Sequence, residues 1–264
     1  MDQSVERRVG DGGKEREKAV APHPPLRPYY EKPEERQGFL NELFNRTASS
    51  YRNVDKAVGL GSGLWYRRKA LRLAGLKPGM RVLDVACGPG LVGQCALDIV
   101  GPAGLVIGLD PSLGMLHEAK EGLRRRLVLG VGERLPFFDE AFDFLSMGYA
   151  LRHLSDLGRA FDEYRRVLKP GEIVLLLEVS RPRSAALYRL LRWYIRDLLG
   201  TAFAVGTGNG EMRRLMAYWW DTIERCVPPS TIVETLKESG FDDCLVKEWG
   251  GGLLRDYRAV KTAG

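Results

Sequence analysis

Short apolar runs and helix-length amphipathic stretches alternate through the middle of this chain, and this alternation limits the fold more than any other feature. Strands joined through helices form βαβ crossovers and therefore a parallel sheet. We predict an α/β fold with a seven-stranded, mostly parallel sheet and helices on both faces. The predicted strands are 81–86, 104–109, 126–130, 142–147, 172–179, 244–248 and 254–260, and the predicted helices between the first five are 91–100, 112–122 and 157–168.

The segments outside this alternation predict additions to a single domain. Residues 1–36 are charged and then proline-rich, which predicts a disordered tail. Residues 37–80 carry helical apolar stripes and predict an N-terminal helical cap, and residues 81–264 form the main domain. Within this domain, residues 183–226 predict two amphipathic helices separated by a glycine-containing loop, an insertion that we interpret as a lid.

The composition limits the cellular compartment and the kinds of ligand that we expect. The formal net charge is +6, and residues 181–215 hold seven arginines against two acids. The four cysteines form no C-x-x-C pair and the three histidines are scattered, so we expect no metal site and reduced, cytosolic thiols. Neither a signal peptide nor an apolar run of about 18 residues is present, so we expect no membrane span.

A carboxylate inside the first strand, Asp84, points to a ligand. Burying it is costly unless something pairs with it, and a polar ligand above the following turn would do so. Residues 88–93 match G-x-G-x-x-G, which on its own suggests a dinucleotide. However, Pro89 removes an N–H from the turn, and Asp84 would oppose a pyrophosphate. A ligand with a cationic amino group, such as S-adenosylmethionine, suits the turn better.

A second acid, Asp110, ends the second predicted strand twenty residues beyond Gly90. At this spacing an acid meets a ribose diol beside the first turn, which supports a nucleoside ligand but does not separate S-adenosylmethionine from NAD. A plain helix N-cap before Pro111 is the alternative, and both roles are compatible.

Several ordered motifs together resemble class I S-adenosylmethionine-dependent methyltransferases, and more narrowly the ubiquinone/menaquinone C-methyltransferase family. The resemblance implies a Rossmann-like fold, S-adenosylmethionine as cofactor with S-adenosylhomocysteine as product, and an enzyme of quinone biosynthesis. It covers about residues 40–182. The matching stretches are 44–51, 82–90 (Val-Leu-Asp-Val-Ala-Cys-Gly-Pro-Gly), 108–112 with Met115 and Leu116, 133–137, 151–153, 166–171 and 178–182.

The resemblance also implies roles for individual residues. Asp84 would orient the methionine amino group, Asp110 would bind the ribose hydroxyls, and Tyr51 would close over the methionine end. Met115 would pack on the adenine, with Gly132 and Glu133 at its edge; core packing is the alternative for Met115 and Tyr51. The full set of implied cofactor-binding residues is Tyr51, Asp84, Ala86, Cys87, Gly88, Gly90, Asp110, Pro111, Met115, Gly132, Glu133 and Met147.

The chain departs from the family pattern at positions expected to shape the substrate pocket or contact the cofactor. The family's adenine-binding Asp is replaced by Val131, its Tyr-Asp pair is Tyr51-Arg52, and its Arg-Asn pair is Arg152-His153. Its Ser-x-x-x-Phe-Pro and Gly-Gly-Ile-Val-Ala-Ile-His patterns near the C-terminus are changed at 226–229 and 251–257. The family's substrate therefore does not transfer automatically.

Methyl transfer from a sulfonium requires alignment of the acceptor and, for a phenol or quinol carbon, loss of a hydroxyl proton. We predict His153 and Arg152 as catalytic residues, the former as proton acceptor and the latter stabilising a developing phenolate. The alternatives are a helix-start residue for His153 and a structural ion pair for Arg152.

We predict a small, lipophilic or aromatic, quinol-like acceptor. An aromatic pocket for it would contain Trp65, Tyr149, Tyr218 and Trp219, although aromatic residues on helices often belong to the core. Alternatives are methylation of a phospholipid, sterol or natural product at C, O or N, or a cofactor-binding protein without transferase activity. We expect no nucleic-acid partner, since no base-stacking motif or reading module is present.

The arginines of 183–196 alternate with apolar residues and are typical of a basic amphipathic helix at an anionic membrane surface. A solvated helix face and an acidic partner are the alternatives. We therefore expect a cytoplasmic protein, with peripheral contact at the inner membrane face and a homodimer as candidate assemblies.

Overall fold

The computed structural model describes residues 19–263, and a seven-stranded sheet organises this part of the chain. The strand order is β3-β2-β1-β4-β5-β7-β6, with β1 to β5 parallel and β7 antiparallel to both of its neighbours. The predicted fold class is confirmed. The strands are β1 (Arg81–Val85), β2 (Leu105–Asp110), β3 (Leu127–Leu129), β4 (Phe142–Gly148), β5 (Leu168–Val179), β6 (Phe241–Trp249) and β7 (Leu254–Lys261).

The helices pack on both faces of this sheet and over one edge. They are α1 (Arg36–Val58), α2 (Gly63–Ala74), α3 (Leu91–Val100), α4 (Leu113–His117), α5 (Glu121–Arg124), α6 (Leu157–Val167), α7 (Ala185–Arg192), α8 (Gly200–Thr207), α9 (Glu211–Arg225) and α10 (Pro229–Glu238), with a π-helical segment Trp193–Leu199 joining α7 to α8. No helix within residues 19–263 is both long and apolar enough to cross a bilayer.

Strand side chains alternate between two cores because successive residues of a strand point to opposite faces. On β1, Leu83 joins a core with α6 and α10, whereas Val82 joins a core with α2 and α3. On β5, Leu176 and Leu175 divide in the same way. All four are at most 1% exposed. This double burial explains why the central strands read as continuous apolar runs.

The strand order reverses between β1 and β4, since β2 and β3 lie on one side of β1 while β4 and β5 lie on the other. Open parallel sheets bind ligands outside the carboxyl ends of the strands at such a reversal. The ends of β1, β2 and β4 therefore define where a site is expected.

The lid segment and the N-terminal region form a third core over this edge. α7, the π-helical segment and α8 run continuously to Gly208, whose left-handed backbone (φ 64°) ends the helix. α9 then returns, and its Met212, Tyr218 and Trp220 are fully buried against residues of α1.

The prediction of a disordered tail is wrong for residues 20–36. Leu26 is 1% exposed and Tyr30 5%, both within the third core. The Val20 N–H donates to Asp156 Oδ1 at 3.1 Å, and the Pro22 carbonyl accepts from Val227 N–H at 2.8 Å. The segment is charged and proline-rich, but it also contains apolar residues that pack into this core. Its prolines favour an extended backbone, and the buried apolar residues hold that backbone against the domain. Residues 1–18 of the predicted tail lie outside the described residues.

The predicted helix 112–122 is two short helices, α4 and α5. Ser112 Oγ caps α4 by accepting from Met115 N–H at 3.2 Å, and Lys120 adopts an extended backbone (ψ 152°) that interrupts the helix. The periodicity of apolar residues continued across this break because Leu116 and Leu123 are both buried.

Candidate functional site

A crevice opens at the carboxyl ends of β1, β2 and β4, and α1 covers it from above. We call it the strand-end cavity. It is lined by Gln37, Leu40, Asn41, Phe44, Tyr51, Ala86, Gly88, Asp110, Pro111, Ser112, Met115, Val131, Gly132, Glu133, Gly148, Tyr149, Ala150, His153 and Leu154.

Asp110 organises the floor of this cavity. One carboxylate oxygen accepts from Gly88 N–H at 2.7 Å and the other from Ser112 N–H at 2.8 Å. Burial raises the pKa of Asp110 to about 6, against these two hydrogen bonds, which favour the carboxylate. The acid thus fixes the turn after β1 to the end of β2, and it lines the cavity as well.

The turn after β1 has an unusual backbone. Ala86 has φ 51° and Gly88 φ 54°, in the left-handed region that a non-glycine residue enters only at a cost. A Cβ added to Gly88 would have no atom within 4 Å, so the space above this residue is free for a ligand. Gly90 differs, because its Cβ would lie 2.6 Å from Leu123 Cδ2. Gly90 therefore packs against α5 and does not line the strand-end cavity, although the resemblance implied that it binds the cofactor.

Asp84 is fully buried in β1 with two hydrogen bonds. Its Oδ1 accepts from Ser146 Oγ at 2.8 Å, and its Oδ2 accepts from Gly93 N–H at 2.8 Å. Burial nonetheless raises the pKa of Asp84 to about 7. A cationic group beside it would stabilise the carboxylate, which matches the ammonium expected there.

A smaller recess, the junction cavity, joins Asp84 to the strand-end cavity. Tyr51 and Tyr149 line both of them. Tyr149 has φ 62°, a strained conformation for an aromatic residue directly after β4. The junction cavity is lined by Tyr51, Arg67, Asp84, Ala86, Cys87, Gly88, Pro89, Leu91, Val92, Gly148 and Tyr149.

A larger apolar space, the lid cavity, lies beyond the same two tyrosines. Its volume is about 470 Å³, and α1, α2, the lid helices and the turn before β7 enclose it. Polar side chains in its wall include Asp55, Ser62 and Arg67. The lid cavity is lined by Tyr51, Val54, Asp55, Val58, Gly59, Leu60, Ser62, Gly63, Tyr66, Arg67, Tyr149, Val179, Leu191, Ile195, Leu215, Met216, Trp219, Leu253 and Leu254.

Arg52, at the position where the family has Asp, ties α1 to the turn after β1. Its guanidinium donates to the Pro89 carbonyl at 2.9 Å and to the Glu118 carbonyl at 2.9 Å. Asn45 adds a second tie, because its side-chain oxygen accepts from Ser112 Oγ at 2.7 Å and from Gly114 N–H at 2.8 Å. The replacement of the family's Asp by Arg52 therefore has a structural role, because Arg52 helps to hold α1 over the strand-end cavity.

Most of the predicted cofactor-binding residues line the strand-end or junction cavity. These are Tyr51, Asp84, Ala86, Cys87, Gly88, Asp110, Pro111, Met115, Gly132 and Glu133. Met147 does not: it is fully buried within the sheet core, near Tyr164. Its side chain points to the face of β4 that packs on α6, and it lines neither cavity.

The structure places Arg152 in a buried ion pair, which was the alternative to its predicted catalytic role. Arg152 is fully buried, its Nε donates to Glu178 Oε2 at 2.7 Å, and it lines none of the three cavities. It also donates to Thr222 Oγ1 at 2.7 Å and to the Trp219 carbonyl at 3.2 Å. Arg152 thus joins the end of β5 to the lid helix α9.

His153 lines the strand-end cavity and not the lid cavity. Its ring stacks on Tyr218 and contacts Phe44 edge-on, with centroid distances of 5.6 and 5.3 Å. Burial, together with Arg152 and Arg36, holds the pKa of His153 well below its usual range, so the ring is neutral at physiological pH. His153 therefore lies apart from the lid cavity.

Two of the four residues predicted for the acceptor pocket line the lid cavity. Tyr149 and Trp219 line the lid cavity, whereas Tyr218 is fully buried beside Tyr29 and Phe39. Trp65 is 60% exposed, because α2 turns the neighbouring Tyr66 and Arg67 inward. Helical phase alone could not decide which members of an aromatic run face the cavity.

Sequence reasoning missed Arg67 and the residues of α1 that face the strand-end cavity, Gln37, Asn41 and Phe44. Arg67 lies in a run of charged residues typical of a solvated helix face, yet it is 2% exposed. Its partner Asp55 lies twelve residues earlier, on another helix, and no local pattern joins the two.

These residues fit S-adenosylmethionine. Two buried carboxylates stand where an ammonium and a ribose diol are expected, and Gly88 leaves open space between them. They do not fit a dinucleotide, since Asp84 would face its pyrophosphate, the Gly88 N–H is already bonded to Asp110, and Pro89 has no N–H to donate.

Comparisons with known proteins show the family of this chain. The sequence profile of the ubiE/COQ5 methyltransferase family matches residues 31–261. A ubiquinone/menaquinone biosynthesis C-methyltransferase UbiE of Legionella pneumophila is 30% identical over 234 residues, covering 86% of this chain and 92% of the relative. A demethylmenaquinone methyltransferase of Symbiobacterium thermophilum is 32% identical over 222 residues, covering 79% and 87%.

Solved structures show the same fold at lower identity. A S-adenosylmethionine-dependent methyltransferase from Aquifex aeolicus is 20% identical with a TM-score of 0.58, over 81% of this chain and 97% of the other. A putative methyltransferase from Methanococcus maripaludis is 16% identical with a TM-score of 0.60, over 84% and 95%.

Proposed function

Because the chain belongs to the ubiE/COQ5 methyltransferase family and is a S-adenosylmethionine-dependent methyltransferase, we propose that it methylates a ring carbon of a quinol-like acceptor bound in the lid cavity. The names of its relatives point to ubiquinone and menaquinone biosynthesis. The cofactor, when bound, supplies an activated methyl group.

One observation carries the proposal: Tyr51 and Tyr149 line the strand-end, junction and lid cavities alike. The donor and acceptor spaces therefore meet at these two rings. An acceptor in the lid cavity would approach the methyl group between them, in water-poor surroundings. Alignment of this kind can supply roughly 7–11 kcal/mol of the barrier.

The walls of the lid cavity favour a flat, mostly apolar acceptor with a few oxygen atoms. Val54, Leu191, Ile195 and Met216 contribute apolar surface, and Trp219 adds an aromatic one. Asp55 places a carboxylate in the wall, where it can accept a hydrogen bond from a ring hydroxyl. These features support an aromatic diol over a phospholipid headgroup, which would need more charge in the wall.

Turnover with a short-chain demethylnaphthoquinol tests this proposal. The purified protein, incubated anaerobically with labelled S-adenosylmethionine and dithionite, should yield a product heavier by one methyl group. Fragmentation in the mass spectrometer should locate that group on the ring carbon. Binding of S-adenosylhomocysteine without transfer to any naphthoquinol or benzoquinol would contradict the proposal while leaving the cofactor assignment intact.

We extend the proposal to the lid surface, which carries exposed apolar residues at Leu190, Trp193, Leu198 and Val205. These residues, with the exposed Arg189, support peripheral contact with anionic lipid at the cytoplasmic face of the inner membrane, where a prenylated acceptor would reside. Two other arginines of this segment are internally paired, Arg192 with Glu224 and Arg196 with Asp221. Insertion of apolar side chains into the lipid therefore contributes more to this proposed contact than charge does. A homodimer is a separate candidate for the assembly.

Liposome sedimentation tests the membrane contact. The wild-type chain should sediment with anionic vesicles, and Trp193→Ser should weaken this more than Arg189→Gln does. Phe138, which is 89% exposed, lies outside this surface and provides a control. An equal loss of vesicle binding in Phe138→Ser would argue against a specific surface.

A further inference from the structure

Arg67 stands in the wall shared by the junction cavity and the lid cavity, and the functions described above leave it without a role. Its side chain is 3% exposed, although it belongs to a helix with a solvated outer face. Long cationic side chains are seldom buried to this degree unless they pair or bind a ligand.

The pairing of Arg67 is incomplete. Its Nη1 donates to Asp55 Oδ2 at 3.2 Å, and its Nη2 donates to Asp55 Oδ1. A guanidinium has five N–H donors, so Asp55 leaves three of them. The Nε is buried and has no hydrogen-bond partner among residues 19–263. An anionic ligand in the junction cavity would supply one.

The other charged side chain in the junction cavity is Asp84. One buried cation and one buried anion thus line the same small recess, which lies at the end of the strand-end cavity. An α-amino acid carries a carboxylate and an ammonium on one carbon, so its two charges match this pair. We propose that Arg67 binds the carboxylate of the methionine portion of the cofactor, opposite Asp84, which binds its ammonium.

The turn after β1 has few donors left for this carboxylate. The Gly88 N–H is bonded to Asp110, the Gly90 N–H to the Cys87 carbonyl, and Pro89 has none. Leu91 and Val92, at the N-terminus of α3, line the same cavity and make its potential favourable for an anion. The guanidinium of Arg67, on α2, therefore supplies hydrogen-bond donors that the turn alone lacks.

Gly63 makes the position of Arg67 feasible. A Cβ at this residue would lie 2.6 Å from Arg67 Nη1 and 3.5 Å from Asp55 Oδ2. A side chain there would displace the guanidinium. Gly63 and Asp55 are thus positioning residues for Arg67. The inference rests on the cofactor assignment and is independent of which acceptor is methylated.

Calorimetry with three ligands tests this role directly. S-adenosylhomocysteine carries the carboxylate, its decarboxylated analogue lacks it, and 5′-methylthioadenosine lacks the whole amino acid. The wild-type chain should prefer S-adenosylhomocysteine over the decarboxylated analogue by roughly 10- to 100-fold. In Arg67→Gln this preference should fall to within about threefold, with 5′-methylthioadenosine bound as before.

Neighbouring variants separate binding from folding. Arg68→Gln changes the adjacent residue, which pairs at the surface with Asp98, and should keep the full preference. Gly63→Ala should reduce the preference with Arg67 still present. If Arg67→Gln fails to fold because Asp55 loses its partner, the double variant Arg67→Gln/Asp55→Asn replaces it.

Two outcomes would overturn the inference: a preference retained in the Arg67 variants, or a wild-type chain that binds both ligands equally. In either case Arg67 would serve the lid cavity instead. Failure of the wild-type chain to bind S-adenosylhomocysteine at all would instead count against the cofactor assignment.

Discussion

The strand-end cavity and the lid cavity meet at Tyr51 and Tyr149, but they are built differently. The floor of the strand-end cavity is made of backbone turns and acids at the ends of β1 and β2, positions that sheet topology fixes. The wall of the lid cavity is made of apolar side chains from four helical segments, far apart in sequence. The first arrangement is specific for one ligand. In the second, substitution of any side chain in the wall can change the shape of the cavity.

Arg152 and Glu178 join the end of β5 to α9 outside both cavities, and breaking their ion pair gives the largest expected effect. Arg152→Ala leaves Glu178 buried and unpaired, and should lower the free energy of unfolding by about 3–5 kcal/mol. Chemical denaturation measures this. The exposed pair Arg68–Asp98 is the matched control, and Arg68→Ala should cost at most about 1 kcal/mol.

If Arg152 were instead a catalytic residue, its replacement would reduce turnover with little change in stability. The double variant Arg152→Met/Glu178→Leu distinguishes the cases. It should recover most of the lost stability, because neither charge is then left buried alone.

Asp110→Ala should affect the strand-end cavity alone. The change removes the proposed ribose contact and the two hydrogen bonds that fix Gly88 and Ser112, so S-adenosylhomocysteine should bind at least about tenfold more weakly. Calorimetry measures the affinity, and Asp98→Ala, at the exposed end of α3, is the control. Affinity equal to that of wild type would remove Asp110 from the binding site.

The raised pKa of Asp84, about 7, predicts a pH dependence for the same region. A cationic ligand prefers the carboxylate, so S-adenosylhomocysteine affinity should fall roughly fivefold from pH 7 to pH 6 as Asp84 gains a proton. Calorimetry in buffers of different ionisation enthalpy should detect release of part of a proton. Asp84→Asn should bind more weakly and flatten this part of the profile.

Stability without ligand should change in the opposite sense. An unfolded aspartate has a pKa near 3.9, so between about pH 4 and pH 7 the folded chain binds more protons at Asp84 than the unfolded chain does. Stability from this group is therefore present at low pH and lost as pH rises through that window, by up to about 1.4 kcal/mol per pH unit. Thermal melts with and without S-adenosylhomocysteine should diverge as pH increases.

Filling the lid cavity gives the smallest expected effect on the fold and tests the independence of the two regions. Ile195→Trp should raise the acceptor KM while leaving S-adenosylhomocysteine affinity unchanged, because Ile195 lines only the lid cavity. Leu198→Trp, on the same helical segment but 42% exposed, is the control. A parallel loss of cofactor affinity in the Ile195 variant would mean that the two cavities do not act separately.

Prediction from the sequence also succeeded to different degrees for the strand-end cavity and the lid cavity. The strands and the two acids Asp84 and Asp110 could be recognised in the sequence, because a buried parallel strand is a continuous apolar run and its terminal acid stands out against it. Within this region, Gly90 and Met147 lie away from the strand-end and junction cavities. One packs against Leu123 and the other against the core, and neither contact is visible along the chain.

The sheet and the turn after β1 follow from the sequence alone, since they depend on local patterns and on the fixed geometry of parallel strands. Three placements depend on tertiary contacts: Arg152 is held by Glu178, Trp65 faces solvent, and Arg67 pairs with Asp55 beside the junction cavity. The physical reason is that burial of a helical side chain depends on what packs against its helix. That choice is made between elements distant in the chain.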